Sequence, residues 1–497
     1  MRAALLLATG LAVLPPQERA AAPATRADLA RSYLRFEQAL ARHPERLSAD
    51  AERLNRAFDR ASLAFFTGAF ASSCATLERL ALEVEGCADA PLPRALANLR
   101  VAGLPPVVVQ GAGASSLELR VAGLAAAAVE GAEAVEAAES LAALGDGAVA
   151  LELRDASGAP RWSAPLRLDA AGSATVALPL AELALPPGRY RLVAAPSGAL
   201  AVELAATTLT RASFDRARES LLESLAKVTA ATPGLAQSLA TCKARARLLT
   251  DTPSPLSSAQ FLAEPLALLR SLHAEAAALR AGRDPYAQRE GELWRVLQVG
   301  ARELPLCTYA PAALAAPDAP PAPLLIALHG AGGDERMFID GYGAGLLTRL
   351  ADQHGFLVAT PQSSLFAGDP RHVELLIDEL ARLHPVDRSR VYLVGHSMGA
   401  GATAQLARQV PELLAAAACL AGGSFVGDRP LPPTLLVVGA IDPIVPAAPL
   451  LRGARAAQAR GAPLTIEEHA DFGHTLLVTA ELPRVVEWLL THRRGGE

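Results

Sequence analysis

The residues best suited to chemistry lie in one short segment, Val391 to Gly401, which reads Val-Tyr-Leu-Val-Gly-His-Ser-Met-Gly-Ala-Gly. Four β-prone residues precede the Gly-x-Ser-x-Gly pattern, and an alanine-rich segment of helical character follows it. This order predicts a strand, a sharp turn at Ser397 and then a helix. Such a turn leaves almost no room beside the serine, which explains the flanking residues Gly395 and Gly399. Ser397 is therefore predicted to present its hydroxyl group as a nucleophile at the carboxyl end of a strand.

A serine hydroxyl group needs a base to take its proton and an acid to orient that base. The predicted acid is Asp442, which follows the apolar strand Thr434–Val438. The predicted base is His474, which lies in a loop between the strand Leu464–Glu467 and the last helix. The chain order Ser, Asp, His, with each residue after its own strand, is the order of a hydrolase triad on a parallel sheet.

Other acids and histidines nearby fit these roles less well. Asp428 precedes the strand that Asp442 follows, and Asp471 is too close to His474 to lie in a separate loop. His469 falls at the end of its strand, and we expect His492 to lie within the last helix. For Asp442 itself, the alternative is a structural role in an Asp-Pro turn.

Two backbone N–H groups should stabilise the negative oxygen that forms during attack on a carbonyl group. One is predicted to be the amide of Met398, the residue after the nucleophile. The other is predicted to be the amide of Ala331, in the glycine-rich loop His329-Gly-Ala-Gly-Gly333 that follows the first apolar strand. A dinucleotide-binding loop is the competing interpretation, but neither Gly-x-Gly-x-x-Gly nor Gly-Lys-Ser/Thr is present. We expect His329 and His396 to be buried supports rather than chemical participants.

From about residue 291 onward, apolar strands alternate with amphipathic helices. This pattern predicts an α/β domain with a parallel sheet covered on both faces, whose site lies at the carboxyl ends of the strands. A hairpin of Trp294–Val299 and Leu304–Tyr309 is expected to enter it. The predicted strands are Leu324–Leu328, Phe356–Thr360, Val391–Val394, Ala415–Leu420, Thr434–Val438 and Leu464–Glu467, and the predicted helices are Gly343–Gln353, Val373–Leu383, Met398–Gln409, Ala447–Arg460 and Glu481–His492.

The 290 residues before this domain fall into three parts that differ in their hydrophobic pattern. Residues 25–100 and 208–290 show helical periodicity, with a long helix expected within Ser257–Arg280. Residues 101–207 contain short alternating runs separated by turn residues, which predicts an inserted β-sandwich-like domain. Residues 125–144 are expected to interrupt its sheet as a loop or helix. The predicted strands are Leu117–Val121, Val149–Arg154, Pro165–Asp169, Ala174–Leu178 and Arg189–Val193.

The C-terminal domain resembles the α/β-hydrolase serine esterases, and most of all the branch of polyhydroxybutyrate depolymerases, feruloyl esterases and dienelactone hydrolases. The resemblance spans roughly residues 294–490, and the first 290 residues have no counterpart in it. It is carried by four motifs: His329-Gly-Ala-Gly-Gly333, Gly395-His-Ser-Met-Gly399, Gly439-Ala-Ile-Asp-Pro-Ile-Val-Pro446 and Gly473-His474.

The resemblance implies hydrolysis of carboxylic esters, small or polymeric, without a metal or an organic cofactor. Phe338, Tyr342 and Phe366 follow strands on the side of the serine and are candidates for the substrate-binding wall, with ordinary loop packing as the alternative. Two other functions remain open: a serine peptidase of the prolyl-oligopeptidase type, and a hydrolase fold that binds without catalysis. No β-propeller blade repeat is present before residue 294, which argues against the peptidase.

Charge and composition restrict the remaining options. A net charge of −5 without a long basic run argues against nucleic acid as a partner.

Residues 1–24 resemble an export signal, with Ala22-Pro-Ala24 before the cleavage point, which predicts a secreted or periplasmic protein. A plain apolar helix is the alternative. No other stretch is long and apolar enough to span a membrane. The five cysteines show no metal-binding spacing; Cys74 and Cys87 could form a disulfide, or all five could be free thiols.

Overall fold

The computed structural model describes residues 24–111, 116–123, 149–169, 172–196, 201–254, 264–316, 318–426 and 430–495. Nearly all of the predicted export signal, residues 1–23, and the predicted sheet interruption at residues 125–144 lie outside the described residues. Within the described residues, no helix has both the length and the hydrophobicity that a membrane crossing requires.

The first described segment is helical. Thr25 begins it with a reciprocal cap, in which its side chain accepts from the Asp28 amide and the Asp28 side chain accepts from the Thr25 amide. The first helix buries Phe36 and Leu40, so its packing agrees with the helical periodicity of this segment. The helices are α1 (Arg26–Arg42), α2 (Pro44–Ala49), α3 (Ala51–Phe66), α4 (Phe70–Val84) and α5 (Pro91–Ala97).

Two small sheets follow, one of three strands in the order β1-β3-β6 and one of five in the order β2-β8-β7-β4-β5. Side chains from both sheets share one hydrophobic core, in which Leu119, Leu151 and Leu192 are fully buried. The elements are β1 (Leu99–Ala102), β2 (Val107–Val109), β3 (Leu117–Gly123), β4 (Val149–Arg154), β5 (Pro160–Pro165), β6 (Ser173–Leu178), the short helix α6 (Leu180–Leu183), β7 (Gly188–Pro196) and β8 (Val202–Thr210). The β-sandwich-like domain stays a prediction, and one of its strands is wrong: β5 ends where Pro165–Asp169 was expected to begin.

A second helical segment leads into the C-terminal domain and packs against its first strand. It contains α7 (Phe214–Ala226), α8 (Pro233–Ala246) and α9 (Pro265–Arg280), with a core of its own around Phe214, Leu225 and Leu272. The predicted long helix is described only from Pro265, which is its first residue.

The C-terminal domain is built on an eight-stranded sheet in the order β16-β15-β14-β13-β11-β12-β10-β9. The predicted entering hairpin, β9 and β10, is antiparallel, and β10 joins β12 antiparallel. All other neighbours pair in parallel. The strands are β9 (Gly291–Val299), β10 (Arg302–Ala310), β11 (Ala322–Leu328), β12 (Leu357–Pro361), β13 (Val386–His396), β14 (Ala416–Leu420), β15 (Thr434–Gly439) and β16 (Leu464–His469).

Helices cover this sheet on both faces, which explains the continuous apolar strands. Every residue of β11 is buried, and successive side chains point to opposite faces of the sheet. Leu325 and Ala327 belong to the core on one face, and Leu324 and Ile326 belong to the core on the other. The first core holds α10 and α15, and the second holds α11, α12 and α13. The helices are α10 (Leu346–His354), α11 (Ser363–Phe366), α12 (Arg371–Leu383), α13 (Met398–Gln409), α14 (Ala447–Ala459) and α15 (Leu476–Leu490).

The bounds of several elements differ from the sequence-based expectation, among them those of the last helix. Helix α15 begins at Leu476 rather than Glu481, because the apolar residues Leu476 and Leu477 are completely buried and belong to the same packed face. The helix ends at Leu490, so His492 lies just beyond it. All five cysteines are free thiols, which leaves Cys74 and Cys87 unpaired with each other.

The N-terminal helices dock directly onto the C-terminal domain. Glu37 of α1 is fully buried and accepts hydrogen bonds from the Gly343 amide at 3.1 Å and from the Thr479 hydroxyl group of α15 at 3.1 Å. The Tyr33 hydroxyl group donates to the same carboxyl group at 2.9 Å. Burial raises the pKa of Glu37 to about 7, although these donors partly oppose the shift.

The raised pKa of Glu37 predicts a pH-dependent stability. A carboxyl group whose pKa is higher in the folded state stabilises the fold at acidic pH and loses that contribution as the pH rises toward 7. We expect Glu37→Gln, which cannot ionise, to gain about 2 kcal/mol relative to the wild type between pH 5 and pH 8.5. Chemical unfolding at the two pH values measures this difference.

The exposed Glu219 on α7 supplies the matched control, because Glu219→Gln should show the same pH dependence as the wild type. If the difference in free energy of unfolding between the wild type and Glu37→Gln did not change with pH, the burial of Glu37 between the two regions would be contradicted.

Candidate active site

The turn at Ser397 has the strained backbone that the motif predicts. Ser397 has φ 56° and ψ −117°, a conformation that side-chain-bearing residues rarely adopt. A Cβ atom on Gly395 would lie 2.2 Å from the carbonyl oxygen of Gly399, and one on Gly399 would lie 2.0 Å from that of Leu328. The strand, the turn and the helix therefore approach so closely that only glycine fits on either side of the serine.

His474 lies between Ser397 and Asp442. Its Nε2 atom is 2.8 Å from Ser397 Oγ, and its Nδ1 atom is 2.7 Å from Asp442 Oδ2. The imidazole ring and the carboxylate are both buried, whereas Ser397 is half-buried. The three side chains thus form one hydrogen-bonded chain that reaches the surface only at the serine.

Asp442 is fixed by its own loop. Its Oδ1 atom accepts from the amides of Ile444 and Val445, both at 2.8 Å, which leaves Oδ2 to accept from His474. An acceptor at Nδ1 keeps the proton on that nitrogen and leaves Nε2 free to accept the serine proton. The Asp-Pro turn and the contact with His474 therefore belong to the same loop.

The two predicted oxyanion donors lie beside the serine. Met398 is the first residue of α13, where backbone N–H groups have no partner within the helix. Ala331 lies on the wall of the cavity that also contains Ser397 and His474. A Cβ atom on its neighbour Gly330 would be 3.2 Å from Ser397 Cβ, which places the glycine-rich loop against Ser397.

His396 and His329 are buried and hydrogen-bonded next to the serine. His396 Nδ1 lies 2.7 Å from the Tyr342 hydroxyl group, and its Nε2 lies 3.0 Å from the His474 carbonyl oxygen. His329 Nε2 accepts from the Ser363 amide at 3.1 Å, and its Nδ1 lies 2.8 Å from the Gly330 carbonyl oxygen. Burial lowers the pKa of both rings, so each is neutral and can donate from one nitrogen while it accepts at the other.

Helix α3 supplies two polar residues that the sequence analysis missed. The Asn55 side chain accepts from the Gly473 amide at 2.8 Å, and the Asp59 carboxyl group accepts from the His474 amide at 3.1 Å. Both side chains are buried, and burial raises the pKa of Asp59 to about 6. The only pattern that could have pointed to them is their i, i+4 spacing next to the apolar face of Leu54 and Phe58.

The cavity at the serine has a volume of about 250 Å³ and is lined by the N-terminal helices and by the C-terminal domain. Tyr342, predicted to line it, does so. Phe338 and Phe366 were also predicted to line the cavity, and this prediction is wrong because both side chains are buried in the core. The Phe338 ring packs edge-on against the Tyr342 ring, and the Phe366 ring lies beside His372. Phe338 packs in one core of the sheet and Phe366 in the other, and neither lines the cavity.

Two curated proteins match part of the chain. Poly(3-hydroxyalkanoate) depolymerase C of Paucimonas lemoignei is 30% identical over 122 residues, and the bifunctional acetylxylan esterase/xylanase XynS20E of Neocallimastix patriciarum is 32% identical over 136 residues. The matches cover 21% and 25% of this chain, and 28% and 19% of the two relatives. The resemblance to serine esterases is confirmed.

Solved structures also align with about two fifths of the chain. A thermostable esterase has a TM-score of 0.34 at 24% identity, with 41% of this chain and 63% of that chain covered. The acetyl xylan esterase of Aspergillus awamori has a TM-score of 0.32 at 15% identity, with 40% of this chain and 99% of that chain covered. No family model matches the chain.

The crowding at the turn gives a direct prediction. Gly395→Ala must push the Gly399 backbone away, and we expect it to destabilise the protein by about 3 kcal/mol and to misplace Ser397. Gly401→Ala is the matched control, because a Cβ atom there meets nothing within 4 Å and an alanine inside a helix should stabilise it by about 0.5–1 kcal/mol. Thermal unfolding of the two variants tests the difference, and equal melting temperatures would contradict the tight turn.

Proposed function

We propose that this chain is a serine hydrolase that cleaves carboxylic esters through an acyl-enzyme intermediate, with Ser397 as nucleophile, His474 as general base and Asp442 as the orienting acid. The observation that carries the proposal is the position of His474, whose two ring nitrogens lie 2.8 Å from Ser397 Oγ and 2.7 Å from Asp442 Oδ2. The choice of an ester as substrate is supported by the two partial relatives, whose names describe a depolymerase and an acetylxylan esterase.

In the first half of the reaction, His474 Nε2 takes the proton of Ser397 as Oγ bonds to the ester carbonyl carbon. The carbonyl oxygen becomes negative and accepts from the amides of Met398 and Ala331. When the intermediate collapses, the bond to the alcohol oxygen breaks and His474 returns the proton to that oxygen. The acyl group is left on Ser397.

In the second half, a water molecule takes the place of the alcohol. His474 removes a proton from the water as its oxygen attacks the acyl-enzyme, and the same oxyanion donors hold the second tetrahedral intermediate. Collapse then releases the carboxylic acid and returns the proton to Ser397. Asp442 keeps the imidazole in the reactive tautomer and stabilises the imidazolium ion in both halves.

The proposal includes export of the protein to the periplasm or the medium. The sequence of residues 1–24, which resembles an export signal, supports this part of the proposal. The retained Ser, His and Asp favour an active hydrolase over a binding module without catalysis.

Replacement of the nucleophile tests the reaction itself. Ser397→Ala should abolish hydrolysis of a short-chain p-nitrophenyl ester and labelling by a fluorophosphonate probe, because only an activated serine reacts with either. Ser220→Ala, at an exposed serine of α7, should retain both activities. Equal rates in the wild type and Ser397→Ala would refute the proposal.

Replacement of the acid tests the tautomer argument. In Asp442→Asn the amide oxygen can still accept from Ile444 and Val445, but the amide nitrogen then faces His474 and favours the proton on Nε2. We expect kcat to fall by about 10⁴ while the fold is retained. Asp471→Asn, at an exposed aspartate three residues before His474, is the control and should keep wild-type kcat. A loss of less than tenfold in Asp442→Asn would exclude Asp442 from this role.

A further inference from the structure

The cavity at Ser397 is only half built by the hydrolase domain. One wall consists of the glycine-rich loop, the Met337–Tyr342 segment, Ser397 and His474. The opposite wall comes from helices α1, α3 and α4, more than 250 residues earlier in the chain. The residues from these helices are mostly apolar, and they include Leu29, Leu34, Phe58, Phe65 and Phe66.

Helix α3 touches the predicted oxyanion loop at its tip. A Cβ atom on Gly332 would lie 2.4 Å from Phe65 Cε1 and 2.6 Å from its Cζ, so the Phe65 ring lies directly over this glycine. The Arg26 guanidinium group donates to the Gly332 carbonyl oxygen at 2.8 Å. The two N-terminal helices therefore hold the loop that contains Ala331 and also form the space next to it.

The charged side chains on the cavity wall are already engaged. Arg26 binds the Gly332 carbonyl oxygen, and Arg336 pairs with Asp340 at 2.6 Å and with Glu292. The Asp334 carboxylate accepts from the Arg336 amide at 2.9 Å. The surface left for a substrate is formed mainly by aromatic and aliphatic side chains. Such a wall stabilises an apolar group by removing it from water, and it offers a charged substituent little compensation for lost hydration.

The volume limits the size of that group. An apolar cavity of about 150 Å³ accommodates benzene, whereas pockets for drug-sized ligands start near 300 Å³. A cavity of about 250 Å³ thus has room for a phenyl ring with a short chain, or for a medium-length aliphatic chain.

We propose that α1, α3 and α4 form the substrate-binding cap of this protein and that Phe65 is a specificity-determining residue for esters with a compact apolar group. The inference rests on the proposed ester hydrolysis at Ser397, because the cap is assigned by its position opposite that side chain. The cap selects substrate by the space between Phe65 and the hydrolase wall.

Two variants of the full-length chain change this space in opposite directions. Phe65→Ala removes the ring over Gly332 and enlarges the cavity, so the ratio of kcat/KM for p-nitrophenyl decanoate to that for p-nitrophenyl acetate should rise at least tenfold. Ser62→Phe, at a half-buried wall residue one turn earlier in α3, fills the cavity and should lower the same ratio at least tenfold. A second series, acetate esters of alcohols of increasing length, shows whether the apolar group belongs to the acyl or the alcohol part.

Leu63→Ala is the matched control, because Leu63 lies between these positions on α3 but is 42% exposed and outside the cavity wall. It should leave the ratio unchanged. Circular dichroism and fluorophosphonate labelling identify the variants that fold with a reactive serine.

The possible outcomes separate the inference from the proposed function. If the wild type hydrolyses no ester in either series, the proposed function fails. If the wild type is active and both folded variants keep its chain-length preference in both series, the cap assignment is overturned. Opposite shifts in Phe65→Ala and Ser62→Phe, with none in Leu63→Ala, establish it.

Discussion

The structure depends above all on the close approach of three backbone segments at Ser397. β13 ends against the start of α13 there, and the carbonyl groups of Leu328 and Gly399 occupy the space that side chains at positions 395 and 399 would need. The packed surroundings hold Ser397 at its positive φ angle. A turn of this kind lifts the hydroxyl group clear of the sheet and points the free amides of α13 toward the same place. The alternation of apolar strands and helices, and the two cores on either side of the sheet, serve to keep these segments in contact.

A second constraint comes from outside the C-terminal domain. The loop that contains His474 has backbone N–H groups that need acceptors once the loop is buried, and Asn55 and Asp59 of α3 supply them. Glu37 does the same for Gly343, and Arg26 donates to the carbonyl oxygen of Gly332. The N-terminal helices therefore complete the hydrogen bonding of the histidine loop and of the glycine-rich loop, as well as the wall of the cavity.

These two constraints differ in how far the sequence reveals them. The alternation of strands and helices in the C-terminal domain and the places of Ser397, Asp442 and His474 follow from local patterns, because each of these residues lies in a turn or loop that follows a strand. The contacts of Asn55 and Asp59 depend on how one helix docks on a loop far along the chain, and no local pattern encodes that. Phe338 and Phe366 failed as wall residues for a related reason: a phenylalanine after a strand packs equally well into the core or into a pocket, and only the tertiary structure decides between them.

The bond between Asp59 and the His474 amide joins residues 415 positions apart. Closing so long a loop costs conformational entropy before any contact compensates for it, and contacts of such high sequence separation slow folding. The final position of the His474 loop therefore depends on the docking of the first helices as well as on the formation of the sheet.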